Sequence, residues 1–194
     1  SYQIYIADAD GANARRIETG QPFNFSPQWS PDGEWVLFVA GEHYNCHPFI
    51  VRRDGSGLRK VADRQGYRGV VEFLDVPDFH GGSSDVPLWS PEGGWVYYTA
   101  KVGESVELMR VSLAGKIEQL TQTQSGRLNY HPTFSPDGRW LVFGSNRSGT
   151  RQLYVMRAEG GDAWPITHVK PGWGAMWAYW QPPLASTQKT KGKN

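Results

Sequence analysis

The stretch Pro27-Gln28-Trp29-Ser30-Pro31-Asp32-Gly33-Glu34-Trp35-Val36-Leu37-Phe38 recurs twice, as Pro87-Leu88-Trp89-Ser90-Pro91-Glu92-Gly93-Gly94-Trp95-Val96-Tyr97-Tyr98 and as Pro132-Thr133-Phe134-Ser135-Pro136-Asp137-Gly138-Arg139-Trp140-Leu141-Val142-Phe143. Ser-Pro-Asp/Glu-Gly is hairpin-turn chemistry. Proline presets φ, the acid can bond its own backbone, and glycine takes the left-handed position. Each copy therefore joins two strands. A third strand follows, as in Phe49-Ile50-Val51-Arg52, Leu108-Met109-Arg110-Val111 and Leu153-Tyr154-Val155-Met156, ending at a second glycine turn. A fourth comes next in Leu58-Arg59-Lys60-Val61, Ile117-Glu118-Gln119-Leu120 and Trp164-Pro165-Ile166-Thr167. Four antiparallel strands, A to D, repeating at about 45 residues, specify one propeller blade per repeat.

The full blades are expected at 27–61, 87–121 and 132–167. Residues 1–19 read as strands C and D of a partial blade, and 175–182 as a closing strand A without its B. The expected fold is thus an all-β propeller of about four blades within 1–182, a partial ring that is the C-terminal half of a larger propeller or is completed by a second copy. Residues 183–194 read as a disordered basic tail.

Composition narrows the partners. With 20 basic and 19 acidic residues, the chain has no global field for nucleic acid or an anionic membrane surface. Its longer apolar runs, such as Trp35–Ala40, fall far short of the roughly 20 residues a membrane helix needs, so no membrane span is expected. One cysteine, Cys46, excludes an internal disulfide.

In an up-and-down blade the A–B and C–D turns share one rim, and the B–C and D–A loops share the other. That second rim is expected at 41–48, 64–86, 101–106, 122–131, 145–151 and 168–174, and it collects all five histidines together with Cys46. Loops on a rigid scaffold are where binding and catalysis concentrate. The Arg64–Asp85 connection is the longest, and Asp85, Tyr130, His131 and Trp173 precede strand A, nearest the axis.

Two chemistries suit this rim. His43, Cys46 and His47, joined by His80, form a zinc-like set for a divalent metal, with packing inside the loop as the alternative. No organic cofactor is expected. β-Elimination at a uronate needs a cation for the carboxylate, a base for the C5 proton and an acid for the leaving oxygen. Tyr44, His43, Tyr67, Arg68 and His131 are the candidates for catalysis, and Arg64, Tyr130, Arg147, Trp173 and Asp85 for holding substrate. Calcium at Asp78 and Asp85 lacks a dense acidic run. Ser83-Ser84-Asp85 lacks a Gly-x-Ser-x-Gly elbow. Trp173, Trp177 and Trp180 read as core and ring closure, with Trp173 also able to stack on a sugar or peptide.

The Ser-Pro-Asp-Gly-x-Trp-Val-x-Phe turn, with the downstream Tyr, Asp-Gly and Arg-x-Leu/Ile-Thr positions, resembles the propeller repeats of TolB-type proteins across nearly the whole chain. Within that group, His43-Tyr44-Asn45-Cys46-His47-Pro48 and Phe79-His80-Gly81-Gly82-Ser83-Ser84-Asp85 resemble the propeller lyases of oligogalacturonate and ulvan. The resemblance implies a periplasmic or secreted protein that acts on an acidic polysaccharide or oligosaccharide as a lyase. Its alternative implication is a non-catalytic propeller that binds protein or glycan on the same rim.

Overall fold

The computed structural model describes residues 2–69 and 85–181. The described strands are β1 (Ile4–Ile6), β2 (Arg15–Ile17), β3 (Phe23–Trp29), β4 (Trp35–Glu42), β5 (Asn45–Arg52), β6 (Arg59–Lys60), β7 (Leu88–Trp89), β8 (Trp95–Val102), β9 (Ser105–Ser112), β10 (Ile117–Gln119), β11 (Asn129–Phe134), β12 (Trp140–Ser145), β13 (Gln152–Arg157) and β14 (Ala163–Pro165). They form three four-stranded meanders, β3-β4-β5-β6, β7-β8-β9-β10 and β11-β12-β13-β14, here blades 1 to 3, and the two-stranded β1-β2. This is an unclosed all-β propeller.

The Ser-Pro-Asp-Gly turns form as their chemistry predicts. The Ser30 hydroxyl accepts the Trp35 N–H at 2.9 Å and donates to Asp32, whose carboxylate accepts the Glu34 N–H at 3.0 Å. Ser135 and Asp137 repeat the arrangement. Their serine hydroxyls hold both carboxyls below the usual aspartate range.

The last glycine of the turn also meets the preceding blade. A Cβ on Gly138 would stand 2.8 Å from Cγ of Pro91, and one on Gly93 would stand 3.5 Å from Cδ of Pro31. Because Gly138 also sits at φ +71°, Gly138→Ala is expected to cost more than about 1 kcal/mol in urea unfolding. A neutral result would show that the turn does not pack on its neighbour.

Strand alternation builds the core between blades. Val36, Phe38 and Ala40 pack toward Ile4 and Ile17 of β1-β2, whereas Leu37 and Ile50 pack toward Trp89, Val96 and Tyr98 of blade 2. Leu108 and Leu120 then meet Leu141, Phe143 and Met156 of blade 3. Each such fully buried side chain contributes about 1.5–3 kcal/mol. Arg52, Arg110 and Arg157 lie over the rings of Trp35, Trp95 and Trp140 at 4.4, 4.3 and 4.1 Å.

Two expected rim loops are tighter than their sequence suggests. The ladder continues through Gly41↔Cys46 and Glu42↔Asn45, leaving only His43 and Tyr44 in the turn, with Tyr44 at φ 58°. Similarly, Val102 pairs with Ser105 across Gly103 and Glu104. Alternating side chains keep both ladders paired to their tips.

Candidate binding surface

Strand A stands at one edge of each meander, the edge that a propeller blade turns toward its axis. In β3 and β11 the register shifts between Phe25 and Gln28 and between Tyr130 and Thr133, with Ser26 and His131 at φ 52° and 49° just before Pro27 and Pro132. Proline brings no N–H to the ladder, so a bulge is the place a strand can hold it. Val86 and Leu88 of blade 2, His131 and Thr133 of blade 3, and Trp177 and Tyr179 of the last segment line one cavity of about 250 Å³. The His131 and Trp177 rings lie 5.0 Å apart. Trp173 is 76% exposed, Trp177 57% and Tyr179 91%, so the expectation that Trp173 and Trp177 are core is corrected. No strand B covers this segment among the described residues.

Behind His131 lies a buried polar network between blades 1 and 2. Asp85 Oδ2 accepts the Tyr67 hydroxyl at 3.0 Å and the Thr99 hydroxyl at 2.9 Å, and Oδ1 accepts the His131 N–H at 3.1 Å. The Arg64 guanidinium donates to Thr99 Oγ1 at 2.8 Å, stands 3.9 Å from Asp85 and covers the Tyr67 ring at 4.7 Å. Lys101 N–H and Tyr67 N–H both donate to the Arg64 carbonyl at 3.0 Å. Arg64, Tyr67 and Asp85, expected as ligand-facing groups, are therefore interior. So is Tyr130, whose hydroxyl burial pushes up to about 12, outside the range of acid–base work near neutrality. His131 keeps a face on the cavity, with Nδ1 3.6 Å from Asp85 Oδ1.

A second network crosses to blade 3. Glu107 accepts from the hydroxyls of Thr121 and Thr123 and from Asn129 Nδ2, and Arg147 donates to Asn129 Oδ1 at 2.7 Å. The Arg147 guanidinium sits over the Tyr154 ring at 4.7 Å, and burial pulls its pKa down. It braces the blade instead of presenting a free cation. Thr99 and Glu107 belong to these networks, and Gln152 makes its own with Thr167 and Val169, without having been singled out by sequence. The available signal was polar side chains inside otherwise apolar strands.

The described residues do not gather the zinc-like set. Cys46 and His47 are consecutive in β5 and project to opposite faces. The thiol donates to the Glu42 carbonyl at 3.3 Å, and His47 Nδ1 accepts the Arg64 N–H at 3.2 Å. Exposed His43 packs its ring 4.1 Å from Tyr44 and 5.8 Å from Phe23. No group of three or more His, Cys, Asp or Glu converges among the described residues, and His80 and Asp78 lie outside them. Arg68 and Trp173 are exposed, Trp173 at 76%.

Residues 1–190 match the TolB beta propeller domain. The chain is 29% identical over 164 residues to the Tol-Pal system protein TolB of Bordetella pertussis, a match covering 84% of this chain and 34% of that protein. It therefore spans about a third of the curated relatives it resembles. Among solved structures, TolB from Acinetobacter baumannii superimposes with a TM-score of 0.59 at 20% identity, over 86% of this chain and 38% of the other. An oligogalacturonate lyase in complex with manganese gives 0.60 at 18%, over 88% and 43%. At such identities the likeness is one of fold. The repeat, the meanders and the matched domain together place this chain in the TolB beta-propeller domain family.

Proposed function

We propose that this chain is a non-catalytic part of a TolB-like propeller that binds a protein along its axial wall, in the periplasmic setting the family resemblance implies. The carrying observation is how the polar groups are used. Arg64, Tyr67, Asp85 and Arg147 are engaged inside the blades, while the last segment exposes Trp173, Trp177 and Tyr179, of which Trp177 and Tyr179 line the cavity with His131. Tyr2, Tyr5, Trp29 and Trp164 are exposed outside that cavity. Aromatic side chains of this kind anchor protein interfaces with few rotatable bonds. The relatives' name, Tol-Pal system protein, favours protein over glycan as the ligand class.

The test is a fluorescence titration of the full chain with protein components of the Tol-Pal system. Trp177→Ala combined with Tyr179→Ala is expected to weaken binding by about 30-fold or more, with the thermal midpoint unchanged. Unaltered affinity would overturn the assignment of this wall.

A second reading is a uronate lyase, favoured by exposed His43 against Tyr44, by the exposure of Arg68 and by the fold of the lyase neighbour. In that chemistry a base removes the C5 proton, the C4–O bond breaks, and the departing oxygen takes a proton. Ultraviolet absorbance of unsaturated product, growing on polygalacturonate or ulvan and falling in Tyr44→Phe or Arg68→Ala, would establish it. A flat trace with folded protein supports the binding reading.

A further inference from the structure

Blades 1 to 3 make the same bond between strand C and the segment leaving strand D, with three different side chains. In blade 2, Glu107 Oε1 accepts the Thr123 N–H at 2.9 Å. In blade 3, Gln152 Oε1 accepts the Val169 N–H at 3.0 Å. In blade 1, His47 Nδ1 accepts the Arg64 N–H at 3.2 Å. The acceptors are register-equivalent, since Ala40 pairs with His47, Ala100 with Glu107 and Ser145 with Gln152. An amide oxygen accepts at every pH, and a carboxylate accepts throughout the neutral range. An imidazole nitrogen accepts only while it carries no proton.

We infer that His47 is a pH-sensitive positioning residue, whose protonation cancels the bond to the Arg64 amide and loosens the joint between blades 1 and 2. Accepting at Nδ1 leaves the neutral ring's proton on Nε2, which faces Asp63 Oδ2 at 3.7 Å. A second proton would have to enter at Nδ1, directly against the Arg64 N–H. Arg64 matters because its backbone and guanidinium together cross the joint to Lys101, Thr99 and Asp85.

The surrounding charges act in both directions. Asp63 favours the charged ring, while Lys60, which pairs with Asp63 at 2.8 Å, and Arg64 oppose it. Glu42, at the end of β4, lines the same cavity of about 300 Å³ as His47, Lys60 and Gln21. Burial is the largest influence and lowers the ring's proton affinity. The folded chain therefore takes up this proton less readily than the unfolded chain. Stability from His47 is full above the ordinary histidine range near pH 6.5 and declines as pH falls through it, levelling below the depressed folded value.

The test is amide hydrogen exchange of the full chain between about pH 7.5 and about pH 5, corrected for intrinsic rates. Arg64 protection is expected to drop about 10-fold or more relative to Thr123 and Val169. His47→Gln, which copies blade 3, is expected to keep Arg64 protected and to abolish the pH dependence. In the unsubstituted protein, nitrogen shifts of the His47 ring should report an Nδ1 acceptor that gains its proton as Arg64 protection falls. The inference is overturned if His47→Gln retains the same pH response, or if the ring titrates while Arg64 stays protected.

Discussion

Asp85→Ala is expected to destabilise the chain by about 3–5 kcal/mol, seen as a lowered urea midpoint with an unchanged slope. Asp85 is 2% exposed, and its carboxylate accepts three hydrogen bonds, from Tyr67, Thr99 and the His131 backbone. Alanine would take the shared acceptor from those donors and remove the carboxylate that stands 3.9 Å from the buried Arg64 guanidinium. Removing the acceptor of a buried hydrogen bond costs about 1–3 kcal/mol per bond, more than the net gain of forming it. Asp85→Asn preserves the shape and one acceptor, so it should fall between alanine and the parent. A loss within about 1 kcal/mol for Asp85→Ala would mean that water reaches Arg64 and that the network is a surface feature.

Gly144→Ala is expected to cost about 3 kcal/mol for the opposite reason, excess volume. A Cβ there would overlap Cε2 of Tyr130 and stand 2.7 Å from Cδ2 and Cζ. The Tyr130 ring is fully buried and packs with Tyr67, Val106 and Leu128, so it has no free direction in which to yield. The equivalent position in blade 1 is Val39, tolerated because its partner Phe25 packs against Tyr2 and Phe23 instead. Gly144→Ala combined with Tyr130→Leu should lose less than the sum of the single losses. A neutral Gly144→Ala would show that the Tyr130 ring can leave the core.

The blades were legible in sequence because their turns are local chemistry. Ser30, Asp32 and Gly33 close a hairpin with atoms they carry themselves, and the Val36–Ala40 alternation then assigns both faces of the strand. The rim was only half legible. Its residue types were identified, but whether Arg64 or Tyr67 faces ligand or core depends on partners more than 30 residues away along the chain, such as Thr99 for Arg64. The bulge at His131 compounds this, since one extra residue in a strand reverses the facing of every residue beyond it. Cys46 and His47 looked like a cluster because neighbours in sequence suggest neighbours in space. In an extended strand that adjacency sends them to opposite faces, and the signal for the strand was the unbroken pairing run into His43-Tyr44. Trp177 was misjudged because a Trp-rich segment aligned with strand A suggests core and ring closure, whereas its ring lines an open cavity with His131.

The measurement that bears most directly on the binding reading is an amide-protection footprint of the full chain with and without a bound Tol-Pal protein component. Protection is expected at His131–Thr133 and at 175–181, with the turns at Ser30–Gly33, Ser90–Gly93 and Ser135–Gly138 unchanged. Protection concentrated on those turns, with the axial wall exchanging as in the free protein, would contradict the account.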